Sequence, residues 1–196
     1  MTRDAILVAA AQIFSQKGFH ATSMQDIAQA VNLQKASLYH HVSSKQEILV
    51  DVLDRALDLL INRMQEVMAL PLAPDEMLRQ AMQVYLITLL EQRDLAAVLL
   101  LEHRNLDPAR HIPRRDRFEQ LWRDLIQQGL EAGVFCCADP AMTTRALLGA
   151  LHWTITWYRP GGTFTPEEIA AQFSDLFLGG LLDRPGMTPS QVGAPH

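Results

Sequence analysis

Thr22-Ser-Met-Gln-Asp-Ile-Ala-Gln-Ala-Val-Asn-Leu-Gln-Lys-Ala-Ser-Leu-Tyr-His-His-Val-Ser-Ser-Lys-Gln-Glu-Ile-Leu49 is the stretch that decides the fold. Ser23 and Asp26 have the spacing of a capping box and open a helix of about two turns, Ser23 to Val31, with Ile27, Ala28 and Val31 facing inward. Asn32 tolerates the left-handed backbone needed for a sharp turn between helices. Leu33 to His41 reads as a second short helix, packed through Leu33 and Leu38 and polar on its outer face. Ser44 and Glu47 form another capping box and start a long helix, Lys45 to about Met68, whose stripe runs Ile48, Leu49, Val52, Leu53, Ala56, Leu60, Met64. Two short helices joined by a tight turn have the form of a helix-turn-helix.

Outward from this stretch, helical periodicity extends almost everywhere and strand alternation is missing, so the expected fold is all-α with about nine helices. Before it lies a helix from Thr2, its N-cap, to Lys17, stopped by Gly18. After Pro71 and Pro74 the segments Asp75 to Glu91, Asp94 to His103, Arg115 to Glu131, Pro140 to Tyr158 and Pro166 to Leu182 complete the count, with prolines 108, 113, 140, 160 and 166 as breaks. The expected organisation is a helix-turn-helix domain over 1–48, a regulatory and dimerisation domain over 49–183, and a disordered tail over 184–196.

The 196 residues, 48% hydrophobic and 20% charged, suit a folded globular chain with a sizeable core. A net charge of −5 argues at first sight against a nucleic-acid ligand. The distribution removes that objection: residues 1–48 are net +1 and hold all three lysines, whereas the remainder is net −6. The only cysteines, Cys136 and Cys137, are neighbours and offer no disulfide framework, and no apolar run approaches a membrane span. With no signal-peptide pattern at the N-terminus, a cytoplasmic chain without membrane partners is expected.

Asp26-Ile27-Ala28, Lys35, Ser37-Leu38-Tyr39-His40 and Ser44-Lys45-x-Glu47, in that order, resemble the DNA-binding domain of the tetracycline-repressor (TetR) family of bacterial transcriptional regulators. The sequence departs from the family pattern at Asn32 and Ala36, where Gly is common, at Gln34, where a capping Ser is common, and at Val42, where an aromatic is common. The residue types themselves fit double-stranded operator DNA. Gln34 and Lys35 suit base edges or phosphate, and Ala36 lies near the groove. Ser37, Tyr39 and His40 suit phosphate contacts that fix register, and Ser23 and Lys45 stand at helix N-termini that favour phosphate oxygens. A weakly basic head needs two copies on a palindrome, so a homodimer is expected. The resemblance places its interface in the last two helices, here with Leu147, Leu151, Ile155, Phe173, Phe177 and Leu181 as candidates.

The resemblance also implies a ligand pocket in the middle helices, lined here by Tyr85, Phe118 and Trp122 and suited to a small hydrophobic effector. The segment His103 to Arg117 carries five arginines, and with Trp153 and Trp157 it is similar to the acyl-CoA-responsive subgroup that controls lipid, sterol or aromatic-acid catabolism. Arg104, Arg114 and Arg115, with Arg110 and Arg117, are then expected to neutralise CoA phosphates, the alternative being surface ion pairs with Glu102, Asp107, Asp116 and Glu119. Repression relieved by ligand is the expected mode, with the long fourth helix as lever.

An enzyme acting on CoA esters is the rival class, but the sequence lacks a phosphate loop, a nucleophile elbow and a His-Glu-x-x-His helix. No catalytic residue, metal site or cofactor is therefore expected. His40-His41 point to different sides of a helix and make a poor chelate, and Cys136-Cys137 read as small residues packed before a helix. A helical adaptor responding to another ligand would explain the helices while leaving Thr22 to Leu49 without a purpose.

Overall fold

α1 (Arg3–Lys17) starts where the Thr2 hydroxyl accepts from the Ala5 N–H at 3.3 Å and stops at Gly18, whose φ of +79° ends the helix. The chain is described by a computed structural model that covers residues 2–102, 105 and 108–182, with the backbone alone for 108–111. α2 (Met24–Ala30) has the expected capping box: Asp26 N–H donates to Ser23 Oγ, and Ser23 N–H donates to Asp26 Oδ2 at 2.8 Å. Asn32, at φ +54°, is the one described non-glycine residue on the left-handed side, which is what its position between two helices required.

α3 (Lys35–Leu38) is shorter than the Leu33 to His41 helix that the pattern suggests. Its N-cap Gln34 makes no side-chain capping bond, so the helix begins late; after Leu38 it continues as turns that bond His41 and Val42 N–H to the Leu38 carbonyl. α4 (Lys45–Met68) opens on Ser44, which accepts from the Glu47 N–H at 3.1 Å. The reciprocal bond differs from the expected box, because Glu47 Oε2 takes the N–H of Ser43 at 2.7 Å.

α5 (Pro74–Glu91), α6 (Arg93–Leu101), α8 (Pro140–Trp157) and α9 (Pro166–Leu181) fall within two residues of the expected bounds. Asp139 and Thr165 cap the last two, each followed by a proline at the first helical position, where a missing N–H costs nothing. α7 (Pro108–Glu131) corrects the expected start at Arg115: the helix begins at Pro108 and carries Pro113 inside it. The expected continuation of α6 to His103 and the tail 184–196 lie outside the described residues. Among the described residues the only β-type pairing is a single antiparallel bridge between Phe135 and Leu182.

The chain divides into two compact units, and their membership differs from a cut after residue 48. Unit 1 is Met1–Leu60 with Glu91–Asp116; unit 2 is Ile61–Leu90 with Arg117–His196. Unit 1 therefore contains the helix-turn-helix, the first turns of α4 and all of α6. Within it α1 packs on α6 and α2, and α2 on α3, around Ile6, Phe14, Ile27, Leu38, Ile48 and Leu53, all at most 1% exposed. Burying a side chain such as Leu38 contributes about 2 kcal/mol, enough to hold a one-turn helix that could not stand alone. Unit 2 is built on Leu78, Met82, Leu86, Trp122, Leu125, Ile126, Leu147 and Leu151.

Candidate nucleic-acid interface and effector region

The outer face of α3 is what the helix-turn-helix presents. Leu38 is fully buried, while Gln34, Lys35, Ala36, Tyr39 and His40 are exposed and Ser37 is half-buried. Ser23 is exposed at the α2 N-terminus, but its hydroxyl is engaged with Asp26. The Asp26 carboxyl is held down to about 2, first by the Ser23 backbone N–H, then by the Ser23 hydroxyl and by Lys17 at 3.1 Å. That carboxylate stays charged and keeps α2 capped throughout the physiological range.

Lys45 is placed differently from a phosphate-seeking cation. Its ammonium donates to the carbonyls of Phe19 at 2.7 Å, Thr22 at 2.6 Å and His20 at 3.4 Å, and lies 4.4 Å from the centre of the Phe19 ring. Three carbonyls match the three donors of an ammonium, so Lys45 ties the α1–α2 turn to the start of α4. Arg3, which the sequence reading passed over, performs a similar task on the other side of the head. It donates to the His41 carbonyl at 2.6 Å, to Glu47 at 2.6 Å and to Asp51 at 2.5 Å. Arg3 holds the Glu47 carboxyl below its ordinary range. Nothing local in the sequence signals this, since a basic residue in the first turn of a helix opposes the helix dipole.

The end of α6 reaches the same turn. Glu102 Oε1 accepts from the Phe19 N–H at 3.2 Å, its other oxygen accepts from Asn105 Nδ2 at 2.6 Å, and Asn105 Oδ1 lies 2.7 Å from His20 Nε2. Gln46 at the start of α4 donates to the Asn105 carbonyl at 2.6 Å, and Ser15 donates to Asp94 at 2.5 Å. Glu102, which the alternative reading paired with the arginine segment, is engaged with Phe19 and Asn105.

In unit 2, Tyr85, Phe118 and Trp122 come together as the sequence suggested. The Tyr85 ring centre lies 5.5 Å from those of Phe118 and Trp122 and 5.9 Å from that of His152. All three are buried, and neither the Tyr85 hydroxyl nor the Trp122 indole N–H has a hydrogen-bond partner among the described residues. Burial raises the Tyr85 hydroxyl above its ordinary value and lowers His152 to about 4, so both stay neutral at pH 7. His152 was not anticipated; it lies among the α8 residues between Trp153 and Leu151 and carries no motif.

Arg114 and Arg115 have carboxylate neighbours within unit 1. Arg114, in unit 1, pairs with Asp58 at 3.0 Å and Asp54 at 3.4 Å on α4, and Arg115 lies 3.9 Å from Asp116. Surface pairing is thus what the structure gives Arg114, with α4 carboxylates as partners. Arg104 and the Arg110 side chain lie outside the described residues. Trp153 is 66% exposed on α8, and Trp157 borders a surface pocket of about 340 Å³ with Tyr158, Arg159, Phe164 and Ile169.

Burial divides the interface candidates. Leu147, Leu151, Ile155 and Leu181 are buried within the single chain, against the unit 2 core. Phe173 and Phe177 are half-buried. The large apolar residues that α8 and α9 turn outward are Met142, Trp153, Trp157 and Leu176, the last 71% exposed, with Gly149 open to solvent on the same α8 stripe as Met142 and Trp153. Cys136 and Cys137 are half-buried free thiols between α7 and α8. Among the described residues no group of His, Cys, Asp or Glu has the arrangement to hold a metal ion, and no helix is long and apolar enough to cross a membrane.

Two family models match the chain. One, described as bacterial regulatory proteins of the tetR family, covers residues 6–52; the other, a tetracyclin repressor-like C-terminal domain, covers residues 71–181. The HTH-type transcriptional repressor KstR2 of Mycolicibacterium smegmatis is 28% identical over 201 residues, spanning 94% of this chain and 92% of that protein. The TetR family regulator PfmR from Thermus thermophilus is 39% identical over 91% of this chain and 99% of its own, with a TM-score of 0.82. AibR, solved with isovaleryl coenzyme A and operator DNA, is 28% identical, with a TM-score of 0.81, over 89% of this chain and 96% of its own.

Proposed function

The chain belongs to the TetR family of bacterial regulatory proteins, and from that premise we propose that it is a homodimeric, cytoplasmic transcriptional repressor released from a palindromic operator by a small hydrophobic effector. The observation that carries the reading is the α3 face, where Gln34, Lys35, Tyr39 and His40 stand exposed on a head fixed by Leu38 beneath it, by the Asn32 turn and by Arg3 and Lys45 on its flanks. A short rigid helix with polar residues outward suits a major groove. Likeness to KstR2, a repressor, supports the sign of regulation, and likeness to AibR with isovaleryl coenzyme A supports an acyl thioester as effector class.

Coupling between the two activities follows from linkage: an effector that weakens operator binding by some factor must itself be weakened by operator to the same degree. α4 belongs to both units and Glu102 at the end of α6 grips the Phe19 turn, so a shift of either helix alters how the reading head is held. Dimerisation is assigned to the outward stripes of α8 and α9, with Met142, Trp153, Leu176, Phe173 and Phe177 covered by a second copy.

The test is selection of bound fragments from the source genome, followed by fluorescence anisotropy on the recovered site with and without acyl-CoA thioesters. A palindromic site, released by at least one thioester, is expected; recovery of no preferred site would sink the reading. Lys35→Ala should lower affinity by about tenfold and reduce the salt slope by about one phosphate contact, with an unchanged melting temperature because Lys35 is exposed.

A further inference from the structure

We propose that Tyr85 and Trp122 form a hydrogen-bonding clamp in unit 2 for an uncharged oxygen acceptor, a ketone, ester or thioester carbonyl, carried by an apolar effector. Buried tyrosines and tryptophans ordinarily find a partner for the hydroxyl or the indole N–H. Here both donors are buried, neither has a partner among the described residues, and their ring centres lie 5.5 Å apart. An apolar core alone would be served by phenylalanine at both positions. Phe118, in contact with both rings, adds an apolar wall without polar atoms.

The preference for an uncharged acceptor follows from what stands around the cluster. The imidazole of His152 is kept neutral by burial and supplies no positive charge. Among the unit 2 arginines, Arg79 pairs with Asp175 at 2.7 Å, Arg145 lies 3.6 Å from Glu119, and Arg123, whose Nε is buried without a partner among the described residues, pairs with Glu119. A carboxylate brought to Tyr85 and Trp122 would lose its hydration beside a neutral imidazole, whereas a carbonyl needs only the two donors already there. The clamp rests on the effector-controlled reading for its purpose but not for its chemistry.

The experiment uses the full chain labelled with 5-fluorotryptophan, whose three resonances are resolved by 19F NMR and the Trp122 signal assigned by its loss in Trp122→Phe. Three probes of one ring skeleton are titrated: a ketone (tetralone), the matching hydrocarbon (tetralin) and the matching carboxylate (tetrahydronaphthoate). The ketone is expected to shift the Trp122 resonance and to bind at least about tenfold more tightly than either of the others. Tyr85→Phe should remove that advantage while leaving the hydrocarbon's affinity unchanged, which a merely structural role would not do. Equal binding of ketone and hydrocarbon, as when water alone meets the donors, overturns the clamp, as does tighter binding of the carboxylate or silence at Trp122. An operator arm separates the two readings: a ketone that binds at Trp122 without altering DNA affinity upholds the clamp and removes its regulatory purpose.

Discussion

Single side chains decide how rigid the reading head is. Lys45 is the clearest case, because its sequence position at the start of a helix suggests phosphate binding while its three donors are spent on the carbonyls of Phe19, His20 and Thr22. Lys45→Ala strips those partly buried carbonyls of their donor and should cost about 1–3 kcal/mol of stability, read in urea unfolding. If stability is unchanged and only operator affinity falls, the ammonium turns outward on DNA. His152 gives a second, pH-based prediction. Burial lowers it to about 4, whereas the unfolded chain takes up the same proton near 6.5. Between those values the unfolded state holds more protons, so this group makes stability fall as the pH drops from 6.5 to 4 and adds nothing further below. Against His152→Gln, the difference in urea midpoint should follow that limb; a flat difference would mean an imidazole that reaches water. Neither behaviour could be read from the chain in order, since Lys45 is defined by carbonyls more than twenty residues away and His152 by its burial beside the Tyr85 ring of α5.

At the scale of elements, local chemistry was legible and long-range pairing was not. The Ser23 and Asp26 box, the Asn32 turn and the Thr2 and Gly18 ends stand where spacing put them, because a cap involves residues within four positions of one another. α3 is shorter and α7 longer than the pattern implied: Gln34 supplies no cap, and a helix that starts at Pro108 accommodates Pro113 where breaker rules end one. Four of the six interface candidates, Leu147, Leu151, Ile155 and Leu181, are buried in the single chain for a related reason. Both faces of α8 are apolar, and sequence alone does not say which of Leu151 and Trp153 looks inward. The α7–α8 connection offers a test of packing at this scale. A Cβ on Gly129 would fall 1.9 Å from the ring of buried Phe135, so that ring needs the bare backbone beneath it. Gly129→Ala gains up to about 1 kcal/mol of helix propensity, yet displacing the ring should cost about 1–3 kcal/mol. A lowered melting temperature is expected, restored by adding Phe135→Leu; a raised one would show that the ring moves aside freely.

For the whole molecule the question is why a head with a net charge of +1 should hold DNA at all. On the proposed dimer, a weakly basic head binds a half-site weakly, and affinity comes from two heads engaged at once, the second at a high effective concentration once the first is bound. Leu176 tests this because it is 71% exposed and belongs to no core. Leu176→Arg should leave the circular dichroism spectrum and the single-chain core intact while a charge in an apolar contact separates the copies. Sedimentation should then give a monomer, and affinity for a palindromic site should fall by about two to four orders of magnitude, to that of a half-site. A Lys35→Ala change in the same background should still weaken the residual half-site binding, because the reading face itself is untouched. A dimer that survives Leu176→Arg would move the interface off the outward stripe of α9, and a monomer that keeps full operator affinity would mean that one head suffices despite its charge.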